Sequence, residues 1–177
     1  GKVFIQIMKG FGTKIIAYDL FKDEKFAKEN DFEYVSFNEL CQRSDIISLH
    51  CPLTPETTNI INKNAIDQMK KGVIIINCSR GQLINTDDLI TELSTGKIGG
   101  VGLDVYDKEG DYFLKDMSNS YQRDKNLSLL ISMPNVIVTS HQAFFTSEAL
   151  NKIASDTCQN IKDIFETGTC QNELKGE

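Results

Sequence analysis

The chain of 177 residues, 40% hydrophobic and 25% charged, has the make-up of a soluble globular protein with enough length for a substantial core. Its net charge of −6 and pI near 5.0, with no cluster of Lys and Arg, weigh against nucleic acid or an anionic membrane as partner. No apolar stretch approaches the ~20 residues of a membrane span, and the N-terminus has no charged, apolar and cleavage regions in series, so the reading is a cytoplasmic protein with no membrane contact.

In chain order, "KVFIQIMKGFG" (2–12) reads as an amphipathic helix closing at Gly10 or Gly12, followed by a strand in "KIIAYD" (14–19) and a weaker one in "FEYVS" (32–36). "SFNELCQRS" places Ser36 and Glu39 at capping-box spacing ahead of a helix, and "DIISLHCP" (45–52) is the next strand. "NKNAIDQMKKG" reads as a helix whose last turn carries Lys70 and Lys71 against the negative end of the dipole. After the strand "GVIIINCSR" (72–80), "NTDDLITELSTGK" starts with acids and ends at Gly96, again matching the dipole. The strand "IGGVGLDVY" (98–106) leads into a polar connection over 106–128, long enough to be a functional loop. "NVIVTSHQ" (135–142) then has the composition of a strand buried on both faces. The last helix is the longest: from Ser147 to Thr167 it sets Leu150, Ile153, Ala154, Cys158, Ile161, Ile164 and Phe165 on one face, a pattern of core packing or an interdomain seam.

Strands alternating with helices predict an α/β fold, a Rossmann-like parallel sheet covered by helices. In such sheets ligands bind beyond the carboxyl ends of the strands. Here those ends carry Asp19, then His50, Cys51 and Pro52, then Ser79 and Arg80, then Asp104, then His141. Taken singly, Arg80 reads as a solvated charge, Asp19 as a turn acid and His141 as a surface residue; their convergence on one edge points to a site. The five cysteines (41, 51, 78, 158 and 170) are odd in number and lack CxxC spacing, which predicts free thiols and no metal site.

The segments "SLHCPLTPETTNIIN", "MKKGVIIINCSRGQLINTDDLI", "KIGGVGLDVYDKEGD" and "TSHQAFFTSEAL", in that order, resemble the NAD-dependent D-2-hydroxyacid dehydrogenase family, most closely its D-lactate dehydrogenase branch, and the resemblance runs over essentially the whole chain, including the terminal "GTCQNEL". The resemblance implies an oxidoreductase in which Arg80 binds the carboxylate of a 2-keto acid, Glu109 pairs with the catalytic histidine, and His141 donates and accepts the proton. It implies NAD as cofactor: the pyrophosphate at Gly1, the ribose on Asp19, the adenine side along Cys51, Pro52 and Thr57, and the nicotinamide near Cys78, Arg80, Asp104 and His141. An acid at position 19 repels a 2′-phosphate, so NAD is expected over NADP. The chemistry suits the residue types, because reduction of a keto group needs a proton as well as a hydride, and an Arg fork matches a carboxylate as Lys cannot.

Against the family pattern, the chain lacks the first strand, the full glycine fingerprint and the substrate domain. It is therefore expected to be a fragment, inactive alone, with an NAD-binding domain over 1–145 and a C-terminal helix and tail over 146–177 that packs on the substrate domain. A homodimer formed through the NAD-binding domain is also implied. Two other readings stay open: a non-catalytic NAD-sensing or dimerisation module on the same fold, and a structural piece that binds nothing.

Overall fold

The computed structural model describes residues 1–112, 116 and 124–174. The elements run α1 (Lys2–Gly10), β1 (Ile16–Ala17), α2 (Glu24–Glu29), β2 (Glu33–Tyr34), α3 (Phe37–Arg43), β3 (Ile46–Leu49), α4 (Lys63–Gln68) and β4 (Val73–Asn77). A 3-10 turn at Gly81–Leu83 precedes α5 (Thr86–Ser94), β5 (Ile98–Leu103), α6 (Glu109–Tyr112), α7 (Lys125–Ser132), β6 (Val136–Val138) and α8 (Ser147–Thr167). Two compact units emerge, Gly1–His141 and Gln142–Glu177.

All six expected strands form, each shorter than its apolar run. They make two parallel sheets, β1-β2 and β3-β4-β5-β6. Register in the larger sheet aligns Leu49 with Asn77, Asn77 with Leu103, and Leu103 with Val138. These four residues form a row across the sheet, so whatever follows each of them leaves at a common edge.

Period-2 alternation decides which side chains enter the core. Ile47, Leu49, Val73, Ile75, Ile98, Val101 and Leu103 point to one face, where they join Cys41, Ile66, Leu89, Leu93 and Leu130 of the helices. The opposite face carries Ile46, Ile74 and Ile137, all exposed, and at 72% exposure Ile137 departs from the burial on both faces expected of the strand at 135–142.

The helix ends are chemically specific. Ser36 and Glu39 form the expected capping box, and α5 carries Asp87 and Asp88 in its first turn. At α4 the expectation fails. The helix stops at Gln68 because buried Met69 turns to an extended conformation, so Lys70 and Lys71 fall outside it. The cation at this end is instead Lys97, whose Nζ donates to Asp67 O (3.1 Å) and Met69 O (2.5 Å), while Lys70 pairs with Asp45.

Both ends of the expected loop over 106–128 are helical, as α6 and α7; its residues 113–115 and 117–123 lie outside the described residues. Asp124 ties these ends together. Its carboxylate accepts from Asn126 N (2.8 Å) and Leu127 N (3.1 Å), capping α7, and from Tyr106 OH (2.8 Å) and Lys108 Nζ (3.2 Å). Burial opposes its charge, but the donors outweigh burial and hold the carboxyl below its ordinary value. Asp124→Ala removes the cap and leaves the hydroxyl of buried Tyr106 without this acceptor, which should cost about 2–4 kcal/mol in urea unfolding. A depressed folded value stabilises above the unfolded pKa and is lost as pH falls through the folded one. The gap between the parent and Asp124→Asn should therefore narrow below about pH 4.

The second unit is built around α8. Thr146 caps its start, accepting from Ala149 N (3.2 Å), and Gly168 closes it at φ 80°. The apolar face read from the sequence is present, but no residue of α8 is buried, and Ile153, Ile161, Ile164 and Phe165 are exposed. No helix among the described residues is long and apolar enough to cross a membrane.

Candidate active site at the carboxyl edge of the sheet

The aligned row of strand ends opens into a crevice of about 450 Å³ lined by His50, Cys51, Pro52, Leu53, Ser79 and Arg80. Three hydrogen bonds shape it. Asn77 Oδ1 accepts from Ser79 N (3.0 Å), Asn77 Nδ2 donates to Arg80 O (2.9 Å), and Ser79 Oγ donates to Cys51 O (2.7 Å), joining the turns after β3 and β4. Arg80 is exposed, with Nη1 donating to Ser79 O (2.7 Å). Thr57 donates from Oγ1 to Pro52 O (2.7 Å) and accepts from Thr54 N (2.8 Å), so it closes the turn that follows Pro52.

At the other end of the edge, His141 Nδ1 lies 2.9 Å from Glu109 Oε1, a pair separated by 32 residues in sequence. Glu109 sits on the first turn of α6, and its second oxygen accepts from Tyr106 N (3.1 Å). His141 itself adopts φ 53°, in the left-handed region. Non-glycine residues there are uncommon and persist where their surroundings hold them. The holding contact is a 2.6 Å hydrogen bond from His141 N to Asp104 O. Asp104 is buried (5% exposed), donates from its backbone N to Asn77 O (2.9 Å), and its carboxylate accepts from Thr139 Oγ1.

With Nδ1 facing a carboxylate, the imidazole has a fixed orientation, and Nε2 is the nitrogen able to pass a proton. Arg80 follows β4 and His141 follows β6, with β5 between them. Two strand spacings, roughly 10 Å, separate β4 from β6 at this edge.

The remaining sequence candidates lie around this edge. Gly1 abuts His50: a Cβ on it would sit 3.7 Å from His50 Cβ. The start of α1 has no side-chain cap and no acid in its first turn, leaving N–H groups and a positive dipole end suited to an anion. Asp19 lies two residues beyond β1 of the smaller sheet and is exposed. Its carboxylate accepts from Phe21 N (2.9 Å), and its charge, added to burial, raises the Cys51 thiol. The Cys78 thiol is also pushed up, by burial and then by the Asp104 carboxylate beside it. All five cysteines are free, and among the described residues no group of His, Cys, Asp and Glu could hold a metal ion. A helix start suited to an anion, an exposed acid and a buried carboxylate along one edge fit a dinucleotide.

Sequence reasoning passed over four supporting residues: Asn77, Gly81, Tyr106 and Thr139. Each looks like an ordinary strand or turn residue, and each acts through a contact distant in sequence or through a turn.

The chain matches the family model described as "D-isomer specific 2-hydroxyacid dehydrogenase, NAD binding domain" over residues 1–143. It is 46% identical to 2-hydroxyacid dehydrogenase A of Aspergillus oryzae, over 100% of this chain and 50% of that protein. It is 44% identical to D-lactate dehydrogenase of Escherichia coli, over 98% of this chain and 53% of that one. Among solved structures it is similar to D-lactate dehydrogenase with NAD+ from Lactobacillus jensenii, at TM-score 0.90 and 32% identity, covering 100% of this chain and 52% of that one. The chain spans about half the length of the curated relatives it matches.

Proposed function

Because this chain belongs to the NAD-binding domain family of the D-isomer specific 2-hydroxyacid dehydrogenases, we propose that the full-length protein reduces a small 2-keto acid, pyruvate first among them, to the D-2-hydroxy acid. The observation that carries this is the His141–Glu109 pair, fixed by hydrogen bonds on the same sheet edge as Arg80.

In this reading the cofactor, bound as NADH, would supply the hydride and leave as NAD+. The start of α1 at Gly1 would hold its pyrophosphate and Asp19 its ribose hydroxyls, with Cys51, Pro52 and Thr57 along the adenine side. Cys78, Arg80, Asp104 and His141 would border the nicotinamide. Arg80 takes the substrate carboxylate in a two-pronged grip and orients the keto group. His141 gives its Nε2 proton to the carbonyl oxygen as charge develops there, and Glu109 steadies the imidazole through Nδ1. In the reverse direction the same nitrogen removes the hydroxyl proton.

Residues 146–177 would pack on a substrate-binding domain, a reading supported by the exposed apolar face of α8. The free thiols suit the reducing cytoplasm. A homodimer through the NAD-binding domain accords with the uncovered apolar sheet face of Ile46, Ile74 and Ile137.

The test is NADH consumption by the purified full-length protein with pyruvate and larger 2-keto acids, scored for the D product. Binding of NADH without turnover of any keto acid would favour a non-catalytic NAD-sensing module. Arg80→Lys keeps the charge and loses the fork, so the Michaelis constant for the keto acid should rise on the order of tenfold while kcat falls as well. Unchanged kinetics would remove Arg80 from the site.

A further inference from the structure

We propose that the buried amide of Asn77 is a positioning group for Arg80, setting how the arginine leaves the sheet and hence how tightly the keto acid carboxylate is gripped. The inference rests on the reading of Arg80 as the carboxylate-binding group.

Asn77 is the last residue of β4 and is fully buried. Its register partners are Leu49 and Leu103, and the residues before it on the same face are Val73 and Ile75. Packing alone would place another aliphatic residue here. A buried amide is unfavourable unless both its donor and its acceptor are used. Both are used, and both on the same turn: Nδ2 donates to Arg80 O (2.9 Å) and Oδ1 accepts from Ser79 N (3.0 Å).

The turn that carries Arg80 is therefore closed by a side chain rooted in the core. Its outer side is fastened by Ser79 Oγ to Cys51 O across the crevice (2.7 Å). With the Arg80 carbonyl held from below, the exposed guanidinium pivots about a fixed backbone. An aliphatic residue at 77 would leave Ser79 N and Arg80 O without these partners, and the turn would be free to swing the arginine away from the crevice.

The experiment uses the full-length protein with Asn77→Ala, Asn77→Asp, Arg80→Lys and the double variant Asn77→Ala with Arg80→Lys. Pyruvate kinetics and fluorescence titration of NADH are the readouts. Asn77→Ala should raise the pyruvate Michaelis constant on the order of tenfold and leave the NADH dissociation constant within about twofold. Asn77→Asp keeps the volume and the acceptor for Ser79 N but loses the donor to Arg80 O, so it should move the same constant in the same direction. If Asn77 acts through Arg80, the double variant should be no worse than Arg80→Lys by more than about twofold.

Losses that multiply in the double variant would overturn the proposal, as would an Asn77→Ala or Asn77→Asp protein whose pyruvate Michaelis constant is unchanged. Weakening of NADH binding in step with pyruvate would also overturn it, marking Asn77 as a general structural residue. If Arg80→Lys alone has no effect, the reading of Arg80 fails and this inference fails with it.

Discussion

His141→Ala in the full-length protein is expected to lower kcat for keto acid reduction by about 10²-fold or more, the scale of a lost general acid, with NADH affinity nearly intact. The ring's hydrogen bond runs to Glu109, and the backbone N of residue 141 still reaches Asp104 O after truncation. His141→Asn provides the control for conformation. Asparagine tolerates the φ of 53° found here, yet it cannot shuttle a proton at neutral pH, so it should be as slow as the alanine variant while folding like the parent. Equal loss of cofactor binding and turnover would instead make His141 a structural residue.

Gly81→Ala is expected to be the most damaging glycine-to-alanine change among the described residues. A Cβ at this position would lie 2.1 Å from Tyr106 C, 2.3 Å from Asp107 N and 2.4 Å from Tyr106 O, all backbone atoms. No rotamer change relieves such a contact, so the turn after β4 and the segment after β5 must move apart. Overpacking against backbone belongs to the class of changes costing about 3 kcal/mol or more. The displacement also reaches the site from both sides: Arg80 precedes Gly81, and Tyr106 N is the donor that holds Glu109. The variant should unfold at markedly lower urea and, where still folded, turn over slowly. A melting temperature within about 2 °C of the parent would refute the packing argument.

Those two positions differ in how far the sequence discloses them. His141 ends an apolar run and belongs to a segment with strong family resemblance, so its candidacy is visible on the page. Gly81 also stands in a recognisable motif, but the reason only glycine fits is the passage of residues 106 and 107, some 25 positions later in the chain. The short helices α2 and α7 escaped notice because polar or brief segments carry too little 3.6-residue periodicity, although Asp23 and Asp124 cap them. The cation at the end of α4 differs from the lysines the sequence suggests because helix dipole reasoning looks along the chain. Burial of Met69 cut the helix short, and Lys97 arrived from the strand side.

What the sequence determined by itself is whatever depends on neighbours in the chain. β-branched runs specify the strands, Ser36 with Glu39 specifies a helix start, and family motifs nominate Arg80, Glu109 and His141. What only the tertiary structure decided is whatever depends on register between strands. The row Leu49–Asn77–Leu103–Val138 sends four segments out at one edge. It brings Glu109 to 2.9 Å from His141 and puts an amide in the core beneath Arg80. A shift of one residue in that pairing would turn each side chain to the other face of the sheet. The same sequence motifs would then remain legible, but no site would be built from them.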